Sequence, residues 1–265
     1  MFVFQVWPQL VCISATVLTM AVSILACSPA TDGAGSTNGV GKPRSAIIDQ
    51  LYNLQPNEAL ISEVTQQLED YGFGVDLYQG DEVTVDFYRQ LPSYGYSLII
   101  FRVHSGILGP QGRMIERTRL FTNEPYSETK HVTEQLTEQL VKARINEHYP
   151  WVFGIESRFI KASTEGRFRD TVVIVMGCAT LYLDDMAQAF IQKGASAYLG
   201  WDATVGLGYV DEATSILITN LCADLTISKA VAETMDVVGP DPDYIAYLRY
   251  YPRESGDQTI KALAR

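Results

Sequence analysis

Charge is missing from the start of this chain: no residue before Asp32 carries charge of either sign. Cysteine is also scarce, four in 265 residues. Two of them, Cys12 and Cys27, lie in the uncharged stretch, so only Cys178 and Cys222 remain for the rest of the chain. A small secreted domain stapled by disulfides carries more cysteine in less sequence, so that class is excluded; a single Cys178–Cys222 bridge stays possible. Histidine occurs three times, at positions 104, 131 and 148, with no Cys or paired-carboxylate spacing that would make a metal site. There is no Gly-x-Ser-x-Gly elbow of a serine esterase, and no Gly-rich loop after a first strand to cradle a nucleotide. Acidic loops are present, but none has the ligand spacing of a calcium loop. Positive charge is in deficit overall: the formal net charge is -11, which repels phosphate backbones and excludes nucleic acid as a partner. Nothing in the sequence calls for a cofactor.

What is there begins with an apolar stretch, residues 9–26 (QLVCISATVLTMAVSILA), close to the roughly 20 residues a helix needs to cross a bilayer. It ends in Ile24-Leu25-Ala26-Cys27, which resembles a bacterial lipobox, where a small residue precedes a cysteine that is lipidated. Leu25 is bulkier than that pattern usually has, and no Lys or Arg precedes the stretch. Three readings follow for residues 1–27: a lipoprotein signal with lipidation at Cys27, an uncleaved anchor helix, or a plain secretion signal. All three put the rest of the chain outside the cytoplasm or on a membrane surface, held there by the N-terminal lipid or helix. Residues 28–44 (SPATDGAGSTNGVGKPR) are too poor in large apolar groups to fold and read as a flexible linker. The folded domain is expected over residues 45–265.

Within that domain, short apolar runs alternate with helix-period segments, the pattern of a mostly parallel α/β sheet flanked by helices. Strands are predicted at residues 45–51, 74–79, 97–104, 171–176 and 195–201, with an edge strand at 247–251. Helices are predicted from Pro56, at 84–91 behind a Thr84 cap, and at 183–193, stopped by Gly194. A single long helix is predicted over 214–231. The middle is less regular: a hairpin strand at 113–121, an amphipathic helix over 132–145 carrying Leu136, Leu140 and Val141, and an extended piece at 151–160. No repeat and no second linker appear, so one domain is expected.

Two of the strongest strands end in residues of nucleophilic catalysis. The run SLIIFRV delivers His104-Ser105-Gly106, and TVVIVM delivers Gly177-Cys178-Ala179-Thr180. Catalytic groups of parallel sheets gather at the carboxyl ends of the strands. If these two strands are neighbours, imidazole and thiol share one rim.

In the order His-block, Cys-block, then Gly194-Ala195-Ser196-Ala197-Tyr198-Leu199-Gly200, the chain resembles the caspase–gingipain–clostripain group of cysteine peptidases over about residues 45–251. The resemblance implies a caspase-like three-layer fold and a Cys-His dyad acting on a peptide or protein substrate. Cys178 would be the nucleophile and His104 the acid/base. The oxyanion hole would be formed by the N–H groups of Cys178 and of Gly106 or Ser105. The family usually has Gly directly after the His; here Ser105 intervenes. Members that cut after Arg or Lys use a pocket carboxylate, for which Asp202 is the first candidate and Asp184 and Asp185 follow.

Each of these residues has a plainer role open to it. A His at a strand end is commonly structural, a Cys after a buried strand is commonly a small core hydrophobe, and Cys222 falls near the apolar stripe of its predicted helix. Arg102 on a buried strand needs a carboxylate partner. His131 and His148 read as surface residues at the ends of a polar helix, and the tyrosines from 244 to 251 read as packing. Three functions remain open: an active cysteine endopeptidase, a catalytically silent relative serving as a binding or scaffold module, and a different hydrolase on a generic α/β sheet.

Overall fold

The computed structural model describes residues 42–108 and 114–263; the stretch at residues 9–26 expected to serve as an anchor, and Cys27, lie outside them. The chain runs β1 (Arg44–Asp49), α1 (Glu58–Tyr71), β2 (Gly74–Gln79), α2 (Val85–Gln90), β3 (Leu98–Arg102), β4 (Ser105–Leu108) and β5 (Met114–Pro125). It continues through α3 (Val132–Leu136), β6 (Leu140–Ala143), β7 (Val152–Glu156), α4 (Ser157–Ala162), β8 (Thr171–Met176) and α5 (Asp185–Gln192). β9 (Ala195–Trp201), α6 (Leu207–Cys222), α7 (Ile227–Val238), β10 (Leu248–Tyr251) and α8 (Ile260–Leu263) complete it. No helix among the described residues is long and apolar enough to cross a membrane.

Six strands form the main sheet in the order β10-β9-β8-β3-β1-β2, parallel except for the antiparallel edge strand β10. This is the mostly parallel α/β sheet expected from the sequence, flanked by helices in a layering consistent with a caspase-like build. The central strands β3 and β8 are buried along their whole length because both faces are covered, so they read as unbroken apolar runs rather than alternating ones. One face carries Ile47, Ile100, Ile174 and Leu199 against α1, α6 and α7. The other carries Ile48, Phe101, Val175 and Tyr198 against α2, α4 and α5 and the small antiparallel sheet β4-β5-β7-β6.

Local chemistry explains the helix ends. Asn57 caps α1 by accepting from the Leu60 N–H, and Thr84 caps α2 by accepting from the Phe87 N–H. Gly194, at φ +110, ends the α5 turn in a conformation that suits glycine.

Two helix expectations fail. Residues 132–145 are not one helix: α3 stops at Leu136, Glu138 takes a left-handed φ of 53°, and residues 140–143 form β6 on β7. Leu136, expected to face a core, is 80% exposed, while Leu140 is buried by pairing opposite Ile155. His131 does stand at the N-terminal end of α3, but it is not a free surface residue: its side chain is 16% exposed, its Nε2 meets Glu124 Oε1 at 3.1 Å and its ring packs on Phe153. The long helix over 214–231 is two, α6 and α7. Asp224 turns the chain with a φ of 59°, and Thr226 caps the new helix by accepting from the Lys229 N–H.

Candidate functional site

The site is set by the register of the two central strands. β3 and β8 pair in parallel through Arg102↔Met176, and the Val103 N–H extends the ladder to the Met176 carbonyl at 3.3 Å. Two residues beyond that pair, His104 and Cys178 end the adjacent strands. The strand ends are held close: Ser105 Oγ donates to the Cys178 carbonyl at 2.7 Å. A Cβ on Gly177 would collide with Ser105 Oγ and the Val103 carbonyl oxygen, so only glycine allows this approach.

His104 is fixed from both sides of the backbone. Its N–H donates to Gln50 Oε1 at 2.9 Å, and its carbonyl accepts from the Phe121 N–H at 2.9 Å. Gln50 is itself tied to Asn123 on β5 by Nε2 to Oδ1, and Asn123 Nδ2 returns to the Gln50 carbonyl. The imidazole ring lies 6.2 Å from the Phe121 ring centroid. Burial, and secondarily the nearby Arg102 guanidinium, push its pKa down to about 4, so it is neutral at pH 7.

Cys178 packs against the α6–α7 face of the sheet, with its thiol directed to the Val205 carbonyl at 3.5 Å. Burial pushes its pKa up, the Val205 contact opposes this, and the Asp241 carboxylate adds to it. Among the described residues no hydrogen bond joins the thiol to the imidazole. Cys178 and Cys222 are both free thiols, with no bridge between them.

The loop after β9 completes the rim. The Ala179 N–H donates to the Ala203 carbonyl, and the buried Asp241 carboxylate accepts from the N–H groups of Gly206, Asp243 and Tyr244. Asp202 opens this loop, but its Oδ1 accepts from the Tyr247 N–H and its Oδ2 from Arg249 Nε. Asp184 and Asp185 begin α5 on the opposite face of the sheet from the thiol, and Asp185 accepts from the Thr118 N–H and hydroxyl.

The Cys178 N–H has no hydrogen-bond partner among the described residues. Gly106 pairs with Arg119 in the β4–β5 ladder, and the Phe121 N–H bond to the His104 carbonyl sets the alternation. Hydrogen-bonded pairs recur every second residue, so the Gly106 N–H is spent on that ladder and the Ser105 N–H faces away from it.

Arg102 has the carboxylate partners its burial demands. Nε and Nη2 form a two-pronged pair with Asp211 on α6 at 2.8 Å each, and Nη1 donates to Asp49 Oδ1 and the Gln55 carbonyl. Asp211, Asp241, Gln50 and Asn123 were not singled out from sequence. Only Arg102 signalled that a carboxylate must come from somewhere.

No family model matches this chain, and no curated protein matches it. Solved structures do align, among them the Arg-specific cysteine proteinase gingipain R, with 9% identity and a TM-score of 0.44. The alignment covers 84% of this chain and 45% of that one, so the present chain spans less than half of its length. At that identity and score the likeness is a distant one of fold and assigns no residue a role.

Proposed function

We propose that this protein is a cysteine peptidase held outside the cytoplasm by its N-terminal segment, with Cys178 as nucleophile and His104 as acid/base. The observation that carries the reading is the β3–β8 pairing, which ends two adjacent parallel strands in the histidine and the cysteine. Cys178 Sγ attacks the scissile carbonyl carbon while its proton passes to His104. The imidazolium then gives that proton to the departing amine, leaving a thioester. Water, deprotonated by the imidazole, hydrolyses the thioester and restores the thiol. The N–H groups of Cys178 and Ser105, which meet no acceptor among the described residues, are the donors best disposed to hold the oxyanion, ahead of Gly106. Asp202 belongs to the loop that meets the thiol, so it is the carboxylate of choice for a basic substrate side chain, which would replace Arg249 on Oδ2. The resting site is neutral on both groups, so proton transfer belongs to the substrate-bound state. The anchor at residues 9–26, with or without lipid on Cys27, completes the proposal.

A second reading, a binding module without turnover, draws support from the thiol held on the Val205 carbonyl and from the paired Asp202. Hydrolysis of a fluorogenic peptide library by the full-length chain decides between them. Turnover that disappears in both Cys178→Ala and His104→Ala supports the peptidase; no turnover in the wild type favours the module.

A further inference from the structure

Among the described residues, none pairs with the outer edge of β2. The Gly74 N–H donates inward to the Pro43 carbonyl, while the Gln79 N–H turns outward to Glu82 Oε2. Strand alternation then points the N–H and carbonyl groups of Val75 and Leu77 away from β1, where no described residue meets them. Beside this edge runs a groove of about 490 Å³ between β2 and α1. Its apolar floor includes Ile61, Tyr52 and Leu77, and the latter two are 37% and 41% exposed. Glu58 and Glu69 line it, neither in an ion pair among the described residues, and no Lys or Arg lines it.

We infer that this edge binds an extended, basic segment of another protein, which adds to β2 as a further strand and lays alternate side chains into the groove along α1. An open strand edge flanked by a helix is the arrangement used for strand addition, in which backbone bonds give affinity and the groove gives selectivity. The charge chooses the occupant. Residues 1–41 of this chain contain no Lys or Arg, and residues 109–113 and 264–265 contain one Arg each, so no segment outside the described residues supplies a basic strand. A second copy would bring a net charge of -11 against -11 and juxtapose the same glutamates.

The test uses the full-length chain in zwitterionic nanodiscs and two capped nonapeptides, one alternating valine with lysine and one alternating valine with glutamate. The lysine peptide should bind and the glutamate peptide should not. Leu77→Pro removes an outward N–H without touching the β1 ladder, and it should weaken binding about tenfold or more. The surface double variant Glu58→Lys with Glu69→Lys should reverse the preference between the peptides, independently of how the proline is tolerated. Absence of binding, or binding unchanged in both variants, overturns the inference. So does a concentration-dependent dimer in sedimentation that Leu77→Pro abolishes, since the occupant would then be a second copy.

Discussion

Replacing Asp211 with alanine tests the buried charges that lock the ends of β1 and β3 to α6 beneath the candidate site. Arg102 and Asp211 side chains are only 4% and 9% exposed, and two 2.8 Å bonds join them. Asp211 Oδ2 also accepts from Asn57 Nδ2, the residue that caps α1. Removing Asp211 leaves the buried Nε and Nη2 donors of Arg102 without an acceptor and Asp49 alone to balance the charge, at a cost of about 3–5 kcal/mol. With a urea dependence of about 3 kcal/mol per molar for a domain of this size, the midpoint should fall by roughly 1.3 M. Fluorescence of Trp201, fully buried at the end of β9, reports the transition. A companion, Arg102→Met with Asp211→Leu, removes the pair together. The Asp49 carboxyl, already pushed up by burial, then takes a proton, and stability should return to within about 1–2 kcal/mol of wild type. A midpoint shift below about 0.3 M in Asp211→Ala would refute the reasoning, because the pair would then be worth no more than a surface one.

Two further predictions concern the site. Gly177→Ala should cost about 1–3 kcal/mol and, by parting the ends of β3 and β8, lower peptide turnover at least tenfold; wild-type kinetics would show that the close approach is dispensable. The folded pKa of His104 is about 4, below the usual 6.5 of an unfolded chain, so its stabilising contribution is present above pH 6.5 and lost as pH falls toward 4. Between pH 7 and pH 4 the wild type should lose at most about 3 kcal/mol more than His104→Gln in urea unfolding, and equal losses would contradict the burial of the imidazole.

Much of the fold was legible because its central strands are covered on both faces. Residues 171–176 and 195–201 are apolar runs that local composition alone marks as strands, and both match the observed bounds. Residues 132–145 misled because Leu140 and Val141 fit a helix face equally well. What decides their state is pairing with β7, at residues 152–155, which local periodicity does not express. The break between α6 and α7 was visible in principle, since Thr226 is a good helix cap, but the apolar stripe on either side hid it. At the site, His104 and Cys178 were readable as strand-end residues. Asp211 lies 109 residues from Arg102, and Asp241 reaches Gly206 across 35, so the groups that arrange the rim come together only through the topology.

The most direct measurement of the central claim is labelling of the full-length chain with a peptidyl acyloxymethyl ketone, which carries its own substrate-like backbone to the site. The account predicts a single adduct on Cys178 by peptide mapping, formed about 100-fold more slowly in His104→Ala because the imidazole no longer takes the thiol proton. Equal rates in that variant, or modification of Cys222 as fast as Cys178, would contradict it.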